Sequence, residues 1–129
     1  MEEQDLPHLV MRACMQVHQT LGAGLSREVY EECLAVELRD MEMPAERGCP
    51  LNFNYRGWQI KTPSQMDFII AGALLVRVLA VDEVSLQERQ FMETWLRLTG
   101  MKMGMIVNFQ VPVLRKGIHR ITLKRKTAG

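Results

Sequence analysis

One acid and one base stand inside the most apolar stretch of the chain, Gln65 to Val81, QMDFIIAGALLVRVLAV. The pattern predicts two β-strands folded back at Ala71-Gly72-Ala73, with Asp67 in the first and Arg77 in the second. Strands this apolar are buried on both faces, and a charge is rarely buried without a partner. If the hairpin is centred on Gly72, the two side chains lie opposite each other. A strand carboxylate of this kind either holds a divalent cation together with other oxygen ligands or pairs with the guanidinium.

The remaining groups offer less chemistry. Cys14, Cys33 and Cys49 are odd in number and lack CxxC or Cys/His spacing, so neither a disulfide framework nor a zinc site is indicated. They read as small core residues. His8, His18 and His119 have no ligand spacing, and Gly22 and Gly24 lack the rest of a phosphate loop. The ten methionines read as gap-fillers, with Met41, Met92 and Met105 on core faces, and Trp58 and Trp95 as core or interface anchors.

The elements that position these residues follow in order. Asp5 and Pro7 open a first helix, with Leu9, Val10, Ala13, Cys14, Val17 and Leu21 at helical spacing before Gly22. Ser26 caps a second, striped by Tyr30, Cys33, Leu34, Leu38 and Met41, with Glu31, Glu32, Glu37 and Asp40 facing out and Pro44 at its end. Cys49 to Ile60 alternates Leu51, Phe53 and Tyr55 against polar residues as a half-buried strand turning at Arg56-Gly57. After the central hairpin, Ser85-Leu86-Gln87-Glu88 has the form of a capping box. The helix it starts carries Phe91, Met92, Trp95, Leu96 and Thr99 on one face and stops at Gly100. Met103 to Phe109 and Gly117 to Leu123 are the last strands.

With 129 residues, 47% of them hydrophobic, the chain is sized for one domain over 1–129. The acidic start MEEQD lacks a signal-peptide core, and the uncharged run Phe68 to Val76 is far below the ~18 to 20 residues of a membrane span. These features predict a cytoplasmic protein with no membrane association. Net charge is +1, but Met1 to Glu46 holds ten acids against three bases and the remainder five against thirteen. Such a split can attract a second copy or another protein, or form two solvated faces.

Three segments, Leu21 to Leu38 (LGAGLSREVYEECLAVEL), Trp95 to Phe109 (WLRLTGMKMGMIVNF) and Gly117 to Ile121 (GIHRI), resemble the small bacterial GxxExxY proteins of the PD-(D/E)xK nuclease-like superfamily. The resemblance spans about His8 to Leu123. It implies an α/β, restriction-endonuclease-like core with a mixed sheet flanked by helices, in agreement with the order α-α-β-β-β-α-β-β. It also implies a site in which a strand Asp and a Glu-x-Lys hold Mg²⁺ or Mn²⁺ and activate water, with a helix glutamate completing the ligands.

Asp67 matches the strand acid; the other positions depart. Arg77-Val78-Leu79 stands for Glu-x-Lys, Arg27 for the glutamate between Gly24 and Tyr30, and Phe91 for a glutamine beside Gln90. Glu28 is one residue late, about 100° around the helix. Counted this way, one carboxylate meets two arginines, a poor setting for a divalent cation. The expectation is a catalytically inactive, vestigial site (Asp67, Arg77, Leu79, Arg27) with no metal or other cofactor, in which Arg77 neutralises Asp67, on a fold kept for binding or assembly. One alternative is a divergent nuclease whose metal is completed by Asp82, Glu83 or Glu28. Another is nucleic-acid binding without cleavage through Arg115, Lys116, His119, Arg120, Lys124, Arg125 and Lys126.

Overall fold

A computed structural model describes residues 5–123 of the chain. Lys124, Arg125 and Lys126 of the expected basic end lie outside the described residues. The elements are α1 (Leu6–Leu21), α2 (Arg27–Asp40), β1 (Ala45–Tyr55), β2 (Trp58–Ile70), β3 (Leu74–Leu79), α3 (Leu86–Thr99), β4 (Met103–Asn108) and β5 (Ile118–Ile121), with a 3₁₀ turn at Leu114–Gly117 before β5. The order agrees with that expected from the sequence. One sheet, ordered β1-β2-β3-β4-β5, is antiparallel except for the β3–β4 pair, which α3 connects. A parallel neighbour requires such a crossover.

The sheet is covered on both faces. Val10, Cys14 and Val17 of α1 and Tyr30, Leu34 and Leu38 of α2 pack with Phe68, Ile70, Val76, Val78 and Val107 in one core. Met92, Trp95 and Leu96 of α3 pack with Leu75, Leu79 and Ile106 in the other. Gly104 permits α3 to approach β4 closely, because a Cβ there would stand 2.5 Å from the Met92 sulfur. Cys14 and Cys49 are buried and Cys33 half-buried, all as free thiols. Burial pushes the Cys14 thiol up to about 12, so it stays protonated and inert. No helix among the described residues is long and apolar enough to cross a membrane.

The central hairpin pairs Ile70 with Leu74, Ile69 with Leu75 and Phe68 with Val76, the register centred on Gly72. Its turn needs positive φ at Ala71 (53°) and Gly72 (63°), and the Ala71 amide is held by the Pro44 carbonyl at 2.8 Å. At the far end Asn108, the buried last residue of β4, accepts from the Val81 amide at 3.0 Å and donates to its carbonyl at 2.9 Å.

Three expectations about side chains need correction. Met41 is exposed because α2 ends at Asp40 and leaves it on the cap. Trp58 is 75% exposed and Tyr55 58%, so neither is core. β1 and β2 continue past the sheet body as a two-stranded arm, and its register shifts between Pro50 and Asn52, where Thr62 donates to the Leu51 carbonyl. Thr99 is exposed, its hydroxyl turned back to the Trp95 carbonyl.

Candidate functional site

Asp67 sits where β2 leaves β3. Its neighbours two apart, Met66 with the α3 core and Phe68 with the α1–α2 core, show that the strand's alternation slips there. The ladder with β3 stops at Phe68–Val76, and Asp67 Oδ2 takes the Val78 amide at 2.7 Å in place of a backbone acceptor. Its other oxygen, Oδ1, receives Arg27 at 3.0 Å and lies 3.6 Å from Arg77. Asp67 is 8% exposed, and both of its oxygens are engaged by the protein.

Arg27 is the first residue of α2, where a cation opposes the helix dipole and a carboxylate would suit it. The loop that delivers it is tightly held. Tyr30 donates to the Gly22 carbonyl at 2.6 Å, accepts from the Leu25 amide at 3.2 Å, and stacks on Phe109 with ring centroids 4.5 Å apart. Gly24, at φ +111°, gives its amide to Gln110 at 2.9 Å. Gly24 and Tyr30, the two positions on which the sequence resemblance rests in this loop, thus act as scaffold.

Arg77 differs from expectation in its main partner. Its guanidinium bonds both oxygens of Glu88, at 3.0 and 3.3 Å, and lies 4.7 Å from the centroid of the Phe91 ring. Arg27, closer to Asp67 than Arg77 is, makes the tighter pair. Burial works against the Arg77 cation, but its hydrogen bonds donated to Glu88 and the charges of Asp67, Glu88 and Glu31 outweigh it and raise its pKa. Ser85 caps α3 by accepting from the Glu88 amide at 3.2 Å, but the Glu88 carboxylate goes to Arg77. Leu79, expected from the resemblance to stand in place of a lysine, is a buried core residue.

The count of one carboxylate against two arginines is also corrected. Glu31, expected to face out, is only 15% exposed and sits 3.8 Å from Arg27, one helical turn away. Burial first, then a hydrogen bond to and repulsion from Asp67, push its pKa up to about 7. Glu31 therefore carries a proton for part of the time at neutral pH. The cluster holds Asp67, Glu31 and Glu88 with Arg27 and Arg77. Spacing could have revealed Glu31, since i and i+4 share a helix face, whereas Glu88 was hidden by its plausible role in a cap.

Arg27, Glu31 and Asp67 line an open cavity of about 340 Å³ with Arg47, Gly48 and Gln65. Arg47 is itself paired with Glu32 at 3.0 Å. These donors do not fit a divalent ion: both oxygens of the strand acid are committed to Arg27 and the Val78 amide, and two guanidinium groups crowd the position. No group of three or more His, Cys, Asp or Glu among the described residues is arranged to hold a metal. Glu28, Asp82 and Glu83 are exposed, each outside the cluster's hydrogen bonds. At the other candidate surface, Arg115, Lys116 and Arg120 are exposed, while His119 accepts from Arg89 at 2.8 Å through Nδ1.

A family model described as the PD-(D/E)XK nuclease superfamily matches residues 4–121. No curated protein and no solved structure matches the chain.

Proposed function

The chain belongs to the PD-(D/E)XK nuclease superfamily, with the mixed five-stranded sheet and flanking helices of a restriction-endonuclease-like fold, and we propose that it is a catalytically inactive member used as a binding or assembly module. Within the superfamily we assign it to the GxxExxY proteins, a reading supported by Gly24 and Tyr30 and by the scaffold they build. Three free thiols support a reducing, cytoplasmic setting.

One observation carries the reading: Arg27 donates to Asp67 at 3.0 Å while the Val78 amide occupies its second oxygen. A metal would have to displace a half-buried ion pair and enter between two cations. Because the Arg27 side chain is partly open to solvent, the pair lies between a surface pair, at about 0–1 kcal/mol, and a fully buried one. The cluster also lacks a lysine to position a water, since Leu79 is committed to the core.

The test is incubation of the purified chain with single- and double-stranded DNA and with RNA, with Mg²⁺ or Mn²⁺. The expected result is no cleavage. Metal-dependent cleavage that disappears in Asp67→Ala would establish the divergent nuclease instead.

A further inference from the structure

β1 forms one edge of the sheet and is 11 residues long. Natural edges are blunted by charge, proline or bulges, because unpaired backbone groups invite another strand. β5, the other edge, is four residues long and carries His119 and Arg120. β1 spends its proline and its register shift at Pro50–Asn52, leaving Leu51-Asn52-Phe53-Asn54-Tyr55 without a charge. The polarity of this segment is a palindrome about Phe53. Paired antiparallel with itself, it sets Phe53 on Phe53, Asn52 on Asn54 and Leu51 on Tyr55.

The same face of the arm carries Ile60 and Trp58, the cross-strand partners of Phe53 and Tyr55. The stripe begins in the α3 core with Leu51 and ends at the exposed Tyr55 and Trp58. Leu51 also borders a cavity of about 290 Å³ whose lining, including Gln87, Gln90, Phe91 and Trp95, contains no ionisable group. Trp95 is 1% exposed, and its indole N–H has no acceptor among the described residues.

We propose that two copies of this chain associate through β1, antiparallel and centred on Phe53, extending the sheet across both. The pairing brings each Tyr55 beside the other copy's Leu51, at the mouth of the uncharged cavity. There an aromatic body covers apolar surface and a phenolic oxygen comes within the neighbourhood of the Trp95 donor. The interface is isologous, as a two-fold axis requires. It deepens the assembly reading by naming the partner as the chain itself.

Light scattering after size exclusion, from about 1 to about 100 µM, tests it. A mass twice that of the chain is expected. Asn52→Glu, which faces Lys61 within the arm and so preserves the fold, puts a charge into the seam and should weaken the dimer tenfold or more. Directly facing residues of a non-hydrogen-bonded pair are close enough to cross-link, so mild oxidation should join two Phe53→Cys chains and leave Tyr55→Cys chains at the background of the native thiols. A monomer throughout the range, an Asn52→Glu dimer of unchanged strength, or equal cross-linking at both positions would overturn the proposal. Cleavage is measured separately on the same preparations, so loss of the dimer and loss of the inactive reading are distinguishable.

Discussion

The ends and the middle of the segment from Gly24 to Tyr30 are held in different ways. Gly24 and Tyr30 keep a closed, fully bonded corner against Gly22, Gln110 and Phe109. Three residues before the tyrosine stands Arg27, which on the proposed GxxExxY assignment occupies the place of a metal ligand, with Arg77 and Leu79 at the other positions of that proposed site. The corner fixes where α2 begins, and therefore fixes where residue 27 points. A scaffold of this kind survives a change of charge at its tip, because its bonds are to backbone carbonyls, amides and a buried ring. The cluster at the tip instead depends on every charge having a partner.

Breaking the corner should have the larger effect. Tyr30→Ala removes a buried ring and two hydrogen bonds, and is expected to destabilise the fold by about 3–5 kcal/mol in denaturant titration. Tyr30→Phe, which keeps the stack, should lose only about 1–2 kcal/mol. Breaking the cluster comes next. Asp67→Ala leaves the Val78 amide without its acceptor and two guanidinium groups without their shared carboxylate, for a loss of about 2–4 kcal/mol. If the loss were near zero, Asp67 would not be the pin between β2 and β3.

The smallest effect reads out through pH. Glu31 has a folded pKa raised from 4.5 to about 7, so the folded state keeps a proton that the unfolded chain releases across that window. Stability from this group therefore falls as pH rises from 4.5 towards 7 and stays lower above it. Glu31→Gln should flatten that fall, gaining about 1 kcal/mol on the wild type at pH 8 and little at pH 4. An identical pH profile in the two proteins would place Glu31 outside the cluster.

The sequence made the element order legible because punctuation and period agreed at each step, as at Ser26, Ser85 and Gly100. The hairpin register could be read as well, since an apolar pair of strands around Gly72 admits few alternatives. What escaped was the network joining α2 and α3 to the hairpin. Glu31 and Glu88 are ordinary helix-surface residues by local pattern; Glu31 belongs to the cluster because α2 packs its face beside Asp67 of β2, and Glu88 because Arg77 reaches it from β3. The exposed arm escaped too, because Leu51, Phe53 and Tyr55 alternate as a half-buried strand does whether or not another layer covers the far end. Asn108, clamping Val81, gave no local signal at all.

The central claim is that arginine has taken the cation's place beside Asp67. Calorimetric titration of the wild-type chain with Mn²⁺, alongside Asp67→Ala, measures it directly. The expected result is no saturable heat from either protein up to about 1 mM metal. Saturable binding to the wild type that Asp67→Ala abolishes would contradict the account.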